Sequence, residues 1–79
     1  MKEYLQAEVL NGAESMFRAL SLLRRKSFDV ISVEMVKRKS SNIADLKMMV
    51  EKREVSNPHS AKLLIEKIIG FENVCSENA

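Results

Sequence analysis

Apolar and polar residues alternate along residues 4–10, with Leu5, Ala7 and Val9 on one side and Gln6 and Glu8 on the other. A period of two marks a strand with one buried face. Asn11-Gly12 interrupts the pattern, and over 13–26 the period becomes helical. Ala13, Met16, Phe17, Leu20 and Leu23 predict one apolar stripe, with Glu14, Arg18, Ser21 and Arg25 opposite. Asn11, with Glu14 three residues later, predicts a capping box at the helix start. Arg24, Arg25 and Lys26 suit the last turn, where the helix dipole favours cations.

A second strand is predicted over 28–38, where Ile31, Val33 and Met35 alternate with Ser32 and Glu34 and are expected to face the core. Lys37 to Ser41 reads as a hairpin loop. The third strand, over 43–51, sets Ala44, Leu46, Met48 and Val50 against Asp45, Lys47 and Glu51. Residues 52–56 read as a charged loop. Asn57 suits a helix cap, Pro58 the first helical position and Gly70 the stop, with Ala61, Leu64, Ile65 and Ile68 as the buried stripe. A short fourth strand covers 71–75, and the tail 76–79 is expected to fray.

The order β-α-β-β-α-β defines an α+β fold, the ferredoxin-like two-layer sandwich: a four-stranded antiparallel sheet with two helices on one face and right-handed crossovers. The open sheet face should carry Gln6, Glu8, Glu34, Asp45 and Lys47. In this topology the second strand lies on a sheet edge, whose unpaired N–H and C=O groups favour a homodimer by strand pairing. Val30 and Val36 would aid that contact.

The 79 residues suffice for one domain, spanning 1–79, and a chain 46% hydrophobic and 30% charged is composed like a globular protein rather than a disordered one. A net charge of +2 is too mild to argue for nucleic acid or an anionic membrane. Cys75 is the one cysteine, so no intrachain disulfide forms, which fits a reducing cytoplasm. The opening MKEYLQAEVL carries two glutamates where a secretory leader needs an apolar run, so no leader is expected. Nor does any apolar stretch reach the roughly 18–20 residues of a membrane span.

Little chemistry is available. His59 and Cys75 are the lone residues of their types, and a nucleophile needs an adjacent, oriented base. No ligand cluster suits a metal and no glycine-rich phosphate loop exists. The chain therefore reads as a non-enzyme. RNA-binding modules share this topology, but they stack bases on aromatics of the central strands. Here the third strand has none and the first offers only Tyr4. The turn Asn11-Gly12-Ala13-Glu14 reads either as an ordinary capped turn or as a small-ligand site, because a helix N-terminus offers free N–H groups.

Two runs carry a resemblance. NGAESMFRALSLLRRKSFDV, Asn11 to Val30, resembles the start of an ACT domain of the acetolactate synthase (acetohydroxyacid synthase) small subunit, matching at Arg18, Leu20, Leu22, Leu23, Arg25-Lys26, Phe28 and Val30. NPHSAKLLIEKIIGFENV, Asn57 to Val74, resembles that family's second helix and closing strand. The likeness covers about residues 4–76 and is greatest for the short isoform. It implies a regulatory small subunit that binds and activates or stabilises the catalytic subunit of branched-chain amino acid biosynthesis. That partner would carry thiamine diphosphate, FAD and Mg, and this chain no cofactor. A free-standing amino-acid-binding ACT sensor with another partner is the alternative.

By position, the family's effector site falls at Asn11, Gly12, Ala13, Glu14, Asp29 and Val30, and would hold a branched-chain amino acid. Two departures bear on it. Glu14 stands at or near a family glycine, and Asp29 stands where valine-sensitive members have asparagine. Both add negative charge and bulk, which disfavours an amino acid's carboxylate. The family's Arg-Gly-Phe is Lys26-Ser27-Phe28 here. Arg18, Arg24 and Arg25 project from the first helix as candidates for the partner interface.

Overall fold

A computed structural model describes residues 2–78. Leu5, Ala7 and Val9 of β1 (Lys2–Leu10) are buried, as the alternation requires. Their neighbours are Met48, Leu46 and Ala44 of β3 (Ile43–Lys52), in that order and antiparallel. These two strands form the centre of a four-stranded sheet of order β2-β3-β1-β4, in which every neighbouring pair is antiparallel. The edges are β2 (Phe28–Lys37) and β4 (Phe71–Asn78). Helices α1 (Gly12–Arg25) and α2 (Ala61–Glu66) cover one face, so the α+β, ferredoxin-like βαββαβ arrangement is present. Met16, Ala19 and Leu23 of α1 and Ala61 and Ile65 of α2 join the strand residues and Phe28 and Phe71 in one core cluster.

The helical stripe is shifted from the predicted one. Ala19 is buried and Phe17 is 72% exposed. Phe17 lies roughly 100° around the helix from Met16, away from the arc of Met16, Ala19 and Leu23. The capping box does not form. Asn11 takes a left-handed conformation (φ 51°) and makes no side-chain cap bond. Glu14 turns to Arg18 instead, and the buried Ser15 hydroxyl ties the helix to the Leu10 carbonyl at 2.7 Å.

The second helix is shorter than its 57–70 signal. Residues 57–60 precede the helix, and Asn57 uses its side chain to accept from His59 N–H and to donate to the Lys26 carbonyl. The cap is Ser60, which accepts from Leu63 N–H. Gly70 still ends the segment, at a φ of 101° that only glycine adopts without strain. The sheet, by contrast, is longer than predicted at both termini. Glu3 pairs with Asn78 and Tyr4 with Glu77, so the expected fraying tail is strand.

Edge strand β2 departs most. It lies on the edge as expected, but Ile31, Val33 and Met35 are 47%, 44% and 37% exposed, and of its ten residues only Phe28 is buried. A bulge explains part of this. Val30 pairs with Val50 and Ser32 with Met49, leaving Ile31 as the extra residue. Beyond the bulge, Val33 opposes buried Met48 and Met35 opposes buried Leu46, so both do point to the helix side. Strand β4 carries a matching irregularity. Gln6 pairs with Cys75 but Glu8 with Glu72, and Asn73 in between has a φ of 51°.

Candidate functional site

The first candidate region is the β1–α1 turn. The Asn11 N–H donates to the Asn42 carbonyl at 3.2 Å, which holds the turn against the start of β3. Asn11, Gly12 and Ala13 line a concavity of about 270 Å³ that is completed by Met35, Lys37 and Ala44. A Cβ on Gly12 would stand 3.0 Å from the Met35 sulfur, so glycine is what lets Met35 lie over the helix start. Lys37 and the N-terminus of α1 give this concavity positive character.

The structure does not bring the other expected effector residues there. Asp29 and Val30 begin β2, beyond the far end of the fourteen-residue α1. The length of that helix sets them roughly 20 Å from Asn11. Nor is either suspect carboxylate free. Glu14 pairs with Arg18 at 3.0 Å and Asp29 with Arg53 at 2.7 Å, both on the surface. Their repulsion of a ligand carboxylate is correspondingly offset. The three arginines of α1 are exposed but do not share a face: Arg18 and Arg25 line one groove with Phe17 and Leu22, and Arg24 lies outside it.

Sequence reasoning missed a second region on the open sheet face. The expected residues Gln6, Glu8, Glu34, Asp45 and Lys47 all line a shallow concavity of about 460 Å³. Arg38, just past the end of β2, reaches over it. Its guanidinium donates to both Asp45 oxygens at 2.7 and 3.0 Å and to Glu8 at 2.5 Å. Asn73, held at the β4 bulge, donates to the other Glu8 oxygen. Hydrogen bonds from Asn73 and then Arg38 hold Glu8 below the usual carboxylate range. The bond from Arg38 does the same for Asp45, and the two carboxylates raise Arg38. Alternation places Glu8 and Asp45 on the open face, while their direct opposition is set by the β1–β3 register. Arg38 falls where the predicted second strand (28–38) and the hairpin loop overlap, and the bulge that aims Asn73 leaves no pattern in a single strand.

This cluster clamps three strands together and leaves no reactive group unpaired. Cys75 is exposed on the same face, while His59 lies beside the 53–57 loop, so the two do not form a pair. Among the described residues, no group of three metal-ligating side chains occurs and no buried side-chain polar atom lacks a partner. No helix among them is long and apolar enough to cross a membrane. No protein-family model matches the sequence, and no curated protein matches it closely enough to show a relationship.

Proposed function

We propose that this chain is a non-catalytic regulatory small subunit of ACT type, which binds the catalytic subunit of acetolactate synthase in the cytoplasm and activates or stabilises it. The observation that carries the reading is the combination of the ferredoxin-like topology with an edge strand left apolar and open at Ile31, Val33, Met35 and Val36. Large apolar side chains on an unpaired strand suit assembly better than chemistry. Pairing of β2 with β2 of a second copy would extend the sheet. An antiparallel pairing would also carry Asp29 and Val30 of one copy toward the β1–α1 turn of the other, which supports an effector site shared between copies. Any effect on a partner must then be a shift between conformations that the domain contacts differently.

The test is to add the protein to the isolated catalytic subunit and measure acetolactate formation. Activity should rise, and Arg18→Glu with Arg25→Glu should weaken the rise while the variant stays folded. No activation by the unmodified protein would remove the subunit reading. The free-standing amino-acid sensor keeps one specific support, the positive concavity at Asn11, Gly12, Ala13 and Lys37. Calorimetric titration with valine, leucine and isoleucine tests it. Because Asp29 and Val30 lie far from this concavity within one chain, we expect binding no tighter than about 10 μM, roughly −7 kcal/mol.

A further inference from the structure

Phe17 and Ile69 are 72% and 84% exposed, and they do not stand alone. They flank a groove of about 550 Å³ between α1 and the turn after α2. Half-buried Leu22 and Ile68 supply its inner surface. Ile68 is well anchored. Its N–H donates to the Ile65 carbonyl at 3.0 Å, its carbonyl accepts from Phe71 N–H at 3.2 Å, and its side chain packs on the core. The groove is therefore preformed, which lowers the cost of filling it. Its charged lining has a single sign: Arg18, Arg25 and Lys67, with no carboxylate. Arg18 is engaged only by exposed Glu14, and Arg25 and Lys67 make no ion pair among the described residues.

We propose that this groove docks an acidic segment of a partner protein, with one or two large apolar anchors and carboxylates beside them. The apolar wall and floor call for an inserted side chain, and three cations around them call for flanking carboxylates. The groove is shallow and open, so a lipid surface is the competing occupant, and vesicle sedimentation is part of the test. Two of the open-face carboxylates of a second copy, Glu8 and Asp45, are already held by Arg38, which weakens that face as an occupant, and the test below separates self-association from peptide binding. The inference rests on the domain's being a partner-binding one, but not on the partner's being acetolactate synthase.

The intact chain is used to select from a library of random displayed peptides about 16 residues long, enough for anchors at i, i+4 and i+7. Enriched peptides should carry Leu, Phe or Trp flanked by Asp and Glu, and a synthetic copy should bind less tightly as salt rises. Phe17→Ser with Ile69→Ser should weaken binding about tenfold or more, and so should Arg25→Glu with Lys67→Glu. All four positions are exposed, so circular dichroism should show folded variants. If the serine pair unfolds, the charge pair carries the test. Enrichment of neutral or basic peptides, equal binding by the variants, or no enrichment would overturn the proposal. Sedimentation with phosphatidylglycerol–phosphatidylcholine vesicles that depends on Phe17 would overturn it in favour of a lipid surface. Self-association abolished by the serine pair would overturn it in favour of a second copy. Peptide selection uses no catalytic subunit, so its failure and the failure of activation are separate results.

Discussion

Strands β2 and β3 are neighbours in a hairpin, ten residues each, and both alternate apolar with polar positions. Yet β3 buries Ala44, Leu46, Met48 and Val50, and β2 buries Phe28 alone. Position in the sheet explains the difference. Strand β3 has a strand on either side and its inward side chains join the core cluster, while β2 is an edge that α1 meets mainly near the start of the strand. The second helix, six residues long, packs on the opposite edge strand, β4. Alternation thus reports which side of a sheet a residue points to; whether anything covers that side is decided by strand order and helix length.

The largest expected effect breaks the comparison most directly. Met48→Ala empties a fully buried site and should cost about 2–5 kcal/mol, whereas Val33→Ala, its exposed partner across the hairpin, should cost under about 1 kcal/mol. Urea denaturation at low protein concentration measures both. Equal losses would mean that β2 is covered in solution. A smaller effect separates the two glycines. A side chain at Gly70 would meet the Ser15 hydroxyl at 2.9 Å on a backbone of φ 101°, so Gly70→Ala should cost about 1–3 kcal/mol. Gly12→Ala is crowded by the flexible end of Met35 and touches the Ala44 Cβ at an ordinary 3.7 Å, so it should cost under about 1 kcal/mol. The melting temperatures of the two variants should differ in that order.

Most of the layer structure was legible because it depends on local periods. Element order, the faces of β1 and β3, and the Gly70 stop all follow from residues within a few positions of one another. The misses are non-local. Nothing near Ile31 announces a bulge, which exists because Phe28 and Val30 on one side of it and Val33 and Met35 on the other must all face the helices. Asn57 carries a cap's side chain, but it spends its donor on the Lys26 carbonyl thirty-one residues away, and the helix starts at Ser60 instead. Phe17 matched a helical stripe because stripes one residue apart look alike until the sheet selects one. The candidate site suffered most, since Arg38, Glu8, Asp45 and Asn73 meet only across three strands and the loop end of a fourth.

That cluster predicts an acid response. Glu8 and Asp45 are both held below the usual carboxylate range in the folded chain. Their contribution is present in full above the unfolded carboxylate values and is lost as pH falls through the folded ones. Stability should therefore decline as pH falls from about 5 to about 2, and Arg38→Met should flatten part of that decline. Denaturation midpoints for both proteins at neutral and acid pH check this. An unchanged acid slope would show that the clamp is too solvated to matter, as exposed ion pairs often are.

The smallest effect on the protomer is also the sharpest test of what the β2 edge is for. Ile31→Lys with Val33→Lys places two cations on side chains already 47% and 44% exposed. Such a change should alter the stability of the isolated protomer by no more than about 0.5 kcal/mol. Strand pairing between copies is another matter. Two lysines on each edge would bring four like charges together and require their heads to leave water, which is how natural edge strands are kept apart. The unmodified protein should therefore scatter light as a dimer at tens of micromolar, and the double variant as a monomer with the same circular dichroism. A monomeric unmodified protein would mean that β2's open apolar side chains await a different partner. A dimer that survives the substitutions would move the interface off this strand.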